Sequence, residues 1–405
     1  MNFVKELLLE IIRQCDLKDR FNLSQTSHVL HKLCIPLLYK SVDLSTHNHK
    51  GMVPTGRAPF ETLADNPNRT HCKLDVAIFW RQQAFIRTLV DRPEYGKFVN
   101  SFTWSLLYTP EMDDDWNAIS VDAWSDGVVW KVFQSFTNVM TVDIGFLRHY
   151  REIEIPPPLF TSATSIRLLG HVSKCTAEAV LHSIDPMKLL HLALDNLQNF
   201  GKMSEGEDLP WSISASRPNR SETPESLDPE ERRRGVYPGP MRGHLRYLEG
   251  RCTVLKSLTL RSVGQDSIQQ SQFSTFADEQ RYEEWASFLK SVQPSLERLY
   301  FEQGAIQGND KNYWRPGHKP RQDARPMDAR FIRYLLPVIL DGPWPNLRHL
   351  EIRGVGRWDE FVEPGVVVTN VALDDATRER IGLAVGPNVK VVIDEAATQT
   401  FEFCS

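Results

Sequence analysis

The sequence of 405 residues lacks long apolar runs and contains few cysteines. No stretch reaches the roughly 18 consecutive apolar residues that a transmembrane helix needs, so we expect no membrane span. The six cysteines include no CxxC pair, which argues against a disulfide framework and favours a reducing compartment, the cytoplasm or the nucleus. Charges at Lys5, Glu6 and Glu10 interrupt the first ten residues, so we expect no secretory signal.

The chain also lacks an excess of positive charge and the common catalytic motifs. A formal net charge of −5 argues against a protein that binds nucleic acid or an anionic membrane. There is no GxSxG, GxGxxG, P-loop or HExxH motif, so we expect no enzyme and no cofactor. An enzyme with a site assembled from distant loops is the remaining catalytic alternative. His47, His49, His71 and Cys72 do not have the spacing of a zinc site, and we expect exposed loop residues there.

The most informative feature of the sequence is a short apolar motif that recurs. In residues 345–353, Leu347, Leu350 and Ile352 form the pattern LxxLxL. Residues two apart lie on the same side of a strand, so Leu350 and Ile352 face a core and the residues between them face away from it. The same pattern occurs in residues 255–260 and 296–301, in looser form at Val99/Phe102/Trp104, Val139/Val142/Ile144, Ala163/Ile166/Leu168 and Leu189/Leu192/Leu194, and ambiguously in residues 389–393.

The spacing of these copies predicts a repeat protein. Successive copies start 40, 24, 26, 66, 41, 51 and 42 residues apart. Two of these steps fit a leucine-rich repeat of roughly 20–29 residues, and the others need longer helices or inserted loops. Helical patterns lie between the strands, and this alternation predicts a parallel sheet with right-handed crossovers. We therefore expect an α/β fold, a leucine-rich-repeat (LRR) type solenoid with a parallel sheet on its concave face; an unrelated α/β domain is the alternative. The helical patterns cover residues 73–91, 121–133, 278–292, 328–340 and 373–385.

Residues 3–44 predict a compact unit of three helices. Asp16 is a suitable N-cap for the second helix and Ser24 for the third, which we expect Pro36 to end. About forty residues cannot bury this many leucines alone. The unit therefore either offers one apolar face to a partner or caps the solenoid.

The N-terminal unit resembles a known family. Residues 6–27 (ELLLEIIRQCDLKDRFNLSQTS) look like an F-box, and residues 36–42 (PLLYKSV) resemble the way many F-box/LRR proteins leave that module. Phe3 and Val4 stand where the family usually has Leu-Pro. The resemblance implies a three-helix F-box that docks a Skp-type adaptor and, through it, a cullin–RING ubiquitin ligase. The residues expected to contact the adaptor are Phe3, Val4, Leu8, Ile11, Leu17 and Phe21.

The predicted solenoid offers two regions for a target protein. Long strand-to-helix connections would leave from one rim of the sheet, and long loops on one rim commonly carry recognition. One of them, residues 311–321, is basic and contains aromatic residues. The residues that alternate with the buried ones would lie on the concave face, where charges of both signs suit a protein ligand. We predict target contacts at Arg298, Tyr300, His349, Glu351 and Arg353, and in the basic loop at Trp314 and Arg315.

These features predict a non-catalytic substrate-recognition subunit of an SCF-type E3 ubiquitin ligase. The alternative is an LRR interaction scaffold outside ubiquitination, with the N-terminal helices serving only as a cap. The predicted division of the chain is an F-box at 1–44, a linker and capping helix at 45–95, a first LRR block at 96–197, a disordered insert at 198–243 and a second LRR block at 244–405.

Overall fold

The computed structural model describes residues 3–45, 73–106, 126–146, 156–172, 174–199, 239–263, 275–307, 328–355, 373–394 and 399–400. Its α-helices are α1 (Phe3–Gln14), α2 (Leu17–Thr26), α3 (His28–Leu38), α4 (Lys73–Asp91), α5 (Asp126–Gln134), α6 (Lys174–Leu181), α7 (Thr275–Val292), α8 (Leu336–Leu340) and α9 (Asp375–Val385). Its strands are β1 (Ser41–Leu44), β2 (Ser101–Leu106), β3 (Thr141–Phe146), β4 (Ser165–Val172), β5 (His191–Asn199), β6 (Gly239–Pro240), β7 (Ser257–Val263), β8 (Arg298–Gln307), β9 (His349–Arg353), β10 (Lys390–Asp394) and β11 (Gln399–Thr400).

The strands form one sheet whose spatial order follows the chain. Within the described residues, nine strands pair in the order β1-β2-β3-β4-β5-β7-β8-β9-β10, and every neighbouring pair on this path is parallel. The short strand β6 pairs antiparallel with β5, and β11 pairs with β8. The three N-terminal helices and the predicted α/β class with a parallel sheet are therefore confirmed.

The apolar residues of the recurring motif stack in register from strand to strand. Leu350, for example, lies between Leu299 on one side and Val391 on the other. The strand ends are also tied together, since the carbonyl of Met140 accepts the N–H groups of Thr164 and Ser165. The predicted strand phase is correct. One apolar row contains Val42, Phe102, Val142, Ile166, Leu192, Leu258, Leu299, Leu350 and Val391, and the next contains Leu44, Trp104, Ile144, Leu168, Leu194, Leu260, Phe301, Ile352 and Ile393.

The helices between the strands agree with the apolar patterns, with three differences. The helix predicted for residues 121–133 is described only from Asp126 onward, and α6 was not predicted. The helix that contains Pro337 passes through a π-helical turn, Phe331–Leu335, in which the N–H of Leu336 bonds to the carbonyl of Phe331. Proline has no N–H and its ring displaces the preceding turn, which accounts for this local widening.

The caps of α2 and α3 show one correct and one wrong prediction. The Asp16 carboxylate accepts the N–H of Asp19 at 2.7 Å, as expected of the α2 N-cap. Ser24 does not cap α3, because it lies inside α2. Ser27 has the extended backbone that an N-cap needs, and its hydroxyl accepts the N–H of Leu30 at 3.2 Å.

The third helix also continues past the proline expected to end it. Pro36 lies inside α3, which runs to Leu38. The three N-terminal helices enclose a small core of their own, made by Ile12, Leu33 and Cys34. Because α3 contributes two of these three residues, its packing against α1 maintains the helix despite the hydrogen bond that Pro36 cannot make.

The predicted division of the chain coincides only partly with what the structure describes. Residues 46–72 of the linker and 200–238 of the insert lie outside the described residues. The two ends of the insert pair with each other, Gln198 with Pro240 and Asn199 with Gly239. The predicted F-box segment, residues 1–44, also includes strand β1, which belongs to the sheet as its first strand.

Candidate protein-interaction surfaces

The first two helices leave large apolar side chains exposed. Leu7 and Ile11 on α1 are 53% and 51% exposed, and Leu17 and Phe21 on α2 are 65% and 53% exposed. Each pair is four residues apart and therefore shares one side of its helix. We call these four residues the apolar face. Single exposed apolar residues are common, but two such pairs on consecutive helices indicate an interaction surface.

The apolar face overlaps the residues predicted to contact the adaptor. Ile11, Leu17 and Phe21 are exposed, as such contacts need. Leu8 is half-buried and packs against the small core of the three helices. Phe3 and Val4 lie in α1, and their side chains are outside the described part of the structure. Leu7 and Val29, both exposed, were not on the predicted set, although the spacing of Leu7 to Ile11 indicates a shared side.

A half-buried arginine holds α2 against α1. The side chain of Arg20 donates through Nε to the carbonyl of Ile12 at 3.0 Å and through Nη2 to the carbonyl of Arg13 at 2.8 Å. These carbonyls belong to the last turn of α1, where carbonyl groups lack helical partners and a cation is favourable. Arg20 thereby fixes the two halves of the apolar face relative to each other.

The third helix attaches the N-terminal unit directly to the sheet. His31 Nε2 lies 3.2 Å from the hydroxyl of Tyr95, and the ring of Tyr39 stacks on Phe85 with centroids 6.0 Å apart. The carbonyl of Lys40 accepts two N–H groups at the start of β2. The polypeptide therefore passes from α3 into β1 without an intervening linker.

The face of the sheet opposite the apolar rows, which we call the open face, carries polar residues in register. Its first row contains the residue that begins each strand, and we call it the first-position row. The residues two and four positions further along each strand point the same way. They form the second and third rows of the open face, which carry charged residues of both signs. Within β3 to β10, the first-position row contains Thr141, Ser165, His191, Ser257, Arg298, His349 and Lys390.

Charged side chains in the second and third rows pair with one another across the strands. Arg167 binds Asp143 at 3.3 Å and Asp195 at 2.7 Å. Arg261 binds the same Asp195 at 2.8 Å and Glu302 at 2.7 Å. Burial lowers the pKa of Arg167, but Asp143 and Asp195 more than offset this and raise it above the ordinary value. These residues form a continuous chain of alternating charge from β3 to β8.

A second group of paired charges occupies the C-terminal strands. Glu351 accepts a hydrogen bond from Arg353 at 2.6 Å and lies 3.1 Å from His349 Nε2. Arg353 also binds Asp394 at 2.7 Å. Burial raises the pKa of Glu351, but hydrogen bonds from Arg353 and His349 lower it below its ordinary value overall. The hydroxyl of Tyr300 donates to Glu302 at 2.7 Å.

The predicted target contacts therefore differ in their availability. Tyr300, His349, Glu351 and Arg353 are already engaged with neighbours in the sheet. Arg298 is exposed, and its side chain makes no hydrogen bond or ion pair with other described residues. Trp314 and Arg315 lie outside the described residues, as do most of the long connections at the carboxyl rim.

A shallow depression opens in the first-position row. It has a volume of about 260 Å³ and extends over Ala193 of the second row, whose neighbours in that row, Arg167 and Thr259, have longer side chains. Burial lowers the pKa of His191, and Arg298 and Lys256 lower it further, so its ring is neutral at pH 7. Four hydroxyl groups line the depression without a side-chain hydrogen bond inside the described chain, those of Thr141, Ser165, Ser257 and Thr259.

Neither a metal site nor a membrane helix is found in the part of the chain that the structure describes. There, no three His, Cys, Asp or Glu residues lie close enough together to hold a metal ion. None of the helices described has the length and apolar character needed to cross a bilayer. The cysteine and histidines near residues 47–72 that could suggest a metal site fall outside the described residues.

Comparison with known proteins identifies the N-terminal unit. Residues 2–36 match the family model of the F-box domain, which covers α1, α2 and most of α3. No curated protein matches the chain. F-box domains typically bind Skp-type adaptors and occur in generally non-catalytic subunits of SCF-type ubiquitin ligases. The match supports an F-box protein, with its F-box domain at residues 2–36.

Proposed function

We propose that this protein is a non-catalytic substrate-recognition subunit of an SCF-type E3 ubiquitin ligase, in the cytoplasm or the nucleus. The F-box domain docks a Skp-type adaptor, which connects it to the cullin–RING ligase. The sheet and its helices form an LRR-type solenoid, whose concave face binds a target protein. The observation that carries this proposal is the exposed apolar face on a domain that matches the F-box.

The apolar face argues for a protein partner because the domain already has its own core. Ile12, Leu33 and Cys34 are buried inside the three helices, so Leu17 and Phe21 are not needed to hold the domain together. Burial of one such side chain stabilises a complex by about 1.5–3 kcal/mol. Four large residues on two helices therefore offer a substantial part of the binding energy of a stable complex.

The register of the sheet supports the LRR-type solenoid. Each repeat contributes one parallel strand, and the leucine of the motif in one strand packs beside its counterpart in the next. A repeat cannot bury its apolar side alone, and stacking supplies that burial. The uneven spacing of the copies then reflects inserted connections. On this proposal, residues 96–197 and 244–405 are two LRR blocks separated by an insert.

The alternative, a scaffold whose N-terminal helices only cap the solenoid, is supported by the contacts of α3. Tyr39 and His31 join α3 to residues beside the first strands, as a cap requires. A cap explains this buried side of the unit. It gives no reason for Ile11, Leu17 and Phe21 to be exposed on the remaining helices, and we therefore prefer the adaptor-docking function.

In this function the protein performs no chemistry of its own. It holds the target close to a separate conjugating enzyme, which raises the effective concentration of a target lysine at the reactive thioester. Its role is to hold the adaptor-binding surface of the F-box domain and the target-binding face of the sheet at a fixed separation.

Capture of a purified Skp-type adaptor tests the adaptor-docking function. The double variant Leu17→Asp/Phe21→Asp places two charges on the apolar face, and we expect it to bind the adaptor at least about 100-fold more weakly than the natural protein. The matched control is Val90→Asp/Leu383→Asp, which places the same charges on exposed apolar residues of α4 and α9. Its adaptor affinity should be unchanged.

Circular dichroism would establish that both variants are folded. Failure of the natural protein to bind the adaptor, or equal binding by the natural protein and the variant of the apolar face, would refute adaptor docking and favour the capping function.

A further inference from the structure

The open face contains two kinds of polar row, and only one is available to a ligand. In the second and third rows, Arg167, Asp195, Arg261 and Glu302 satisfy one another through ion pairs of 2.7–2.8 Å. A ligand that bound these groups would first have to break those pairs. The first-position row differs, because most of its side chains have no hydrogen-bonding partner within the described chain.

One end of the first-position row is basic. Arg298 and Lys390 begin β8 and β10, and Arg348 directly precedes β9; all three are exposed. Glu297 lies beside them and pairs with Lys256 at 3.1 Å, and Glu351 in the next row is engaged by Arg353 and His349. The hydrogen bond from Lys256 lowers the pKa of Glu297, and the nearby charges of Arg348 and Arg298 lower it further.

This positive charge is a local departure from the charge of the chain. Lys256, Arg298, Arg348 and Lys390, which we call the basic rim, outnumber the neighbouring carboxylate of Glu297, while the formal net charge of the chain is −5. Four cations are too few for a nucleic-acid surface, which needs a broad basic patch to neutralise a phosphate backbone. They suit a short acidic segment of a protein.

The other end of the row is neutral and offers hydrogen bonds. Thr141, Ser165 and Ser257 each present a hydroxyl that can donate and accept, and the His191 ring stands between them. Strands are about 4.8 Å apart, so the six steps from β3 to β10 extend about 29 Å, the length of about nine extended residues. A single peptide segment could therefore contact the whole row.

We propose that the first-position row binds an extended acidic segment of a partner protein, which runs across the strands. Carboxylates of this segment pair with Arg298, Arg348 and Lys390, and its polar side chains bond to the hydroxyl groups and to His191 at the depression. The proposal rests on the proposed function in one respect, since it takes the partner to be the target held on the concave face.

Binding of a fluorescein-labelled nonaglutamate peptide to the full chain, measured by fluorescence anisotropy at low salt, tests the proposal. The variant Arg298→Gln/Arg348→Gln/Lys390→Gln removes the three cations of the basic rim that form no ion pair with a described residue. Exposed ion pairs are individually weak, so we expect the loss of three to give about tenfold weaker binding. The matched control is Arg81→Gln/Arg87→Gln/Arg92→Gln, which removes three exposed cations at α4 and should leave the affinity within about twofold of the natural value.

The single variant Arg298→Glu serves if the triple variant does not fold, and it should also weaken binding. Equal losses in the rim variant and in the α4 control would overturn the proposal, as would the absence of peptide binding to the natural protein. Tighter binding of single-stranded DNA of nine nucleotides than of nonaglutamate would also overturn it, because the row would then be a general polyanion surface.

The same proteins also separate this inference from the proposed function. The rim variant should capture the Skp-type adaptor as well as the natural protein does. Adaptor capture without peptide binding refutes the acidic-segment proposal alone. Peptide binding without adaptor capture refutes the ligase function but still supports binding of an acidic segment at the first-position row.

Discussion

The substitution Leu350→Ala tests the physical basis of the sheet. Leu350 is completely buried in β9 and packs between Leu299 and Val391 in the adjacent strands. The change removes three carbon atoms, worth about 0.8 kcal/mol each in transfer from water. The cavity left behind adds to this loss, because neighbours in a well-packed row relax only partly. We expect a total loss of about 2–5 kcal/mol in the free energy of unfolding.

The matched control is His349→Ala, one residue earlier in the same strand. His349 points to the open face, where it is half-buried beside Glu351, and its loss should change the free energy of unfolding by no more than about 0.5 kcal/mol. Urea denaturation, monitored by far-ultraviolet circular dichroism, measures the free energy of unfolding of both variants.

Repeat arrays can lose terminal units separately, so Leu192→Ala in the central strand β5 is measured as well. Leu192 is also buried, and its substitution should lower the midpoint of the main transition. Equal midpoints for Leu350→Ala and His349→Ala would refute the assignment of the two faces of the strand.

Two further predictions concern buried polar groups. Asp195→Asn removes the carboxylate shared by two arginines and should destabilise the protein by roughly 3 kcal/mol. The control Asp341→Asn, at an exposed pair with Lys290, should cost no more than about 1 kcal/mol. Similar urea midpoints for the two variants would contradict a stabilising role of the buried ion-pair network. Burial, followed by the nearby charges of Arg281, Lys174 and His182, lowers the pKa of His244 from 6.5 to about 3. The unfolded chain therefore binds the extra proton first, so this group destabilises the fold as the pH falls from 6.5 towards 3, by up to about 1.4 kcal/mol per pH unit. His244→Leu should flatten the pH dependence of the urea midpoint in this range, and parallel profiles would contradict the assignment.

The strands could be predicted from the sequence because their signal is local. Leu350 and Ile352 are two residues apart, and that spacing alone fixes which side of a strand is buried. The helix at Lys73–Asp91 was likewise recognisable, since its apolar residues recur at helical spacing over five turns. The F-box was recognisable from the resemblance of residues 6–27, which the family match at residues 2–36 supports.

The pairing of charges on the open face could not be predicted in the same way. Arg167 and Arg261 meet at Asp195, although they are 28 and 66 residues from it along the chain. The contact depends on which strands become neighbours and on their register. Because a long insert separates β5 from β7, neither could be predicted from the sequence. Ser27 was missed as the α3 cap for a different reason: Ser24 and Ser27 are chemically equivalent, and the choice depends on where α2 ends.

The direct attachment of the F-box domain to the sheet has a consequence for the proposed function. Tyr39 stacks on Phe85, and the Lys40 carbonyl binds the start of β2, so α3 packs directly against the first strands. A flexible linker would spread the target over a large volume, and its effective concentration near the conjugating enzyme would fall as the linker lengthened. Here the apolar face and the first-position row are joined through α3 and an unbroken sheet. A ligase built on this chain would therefore select among the lysines of its target by their position. Only lysines at a suitable distance from the segment bound at the first-position row would reach the conjugating enzyme.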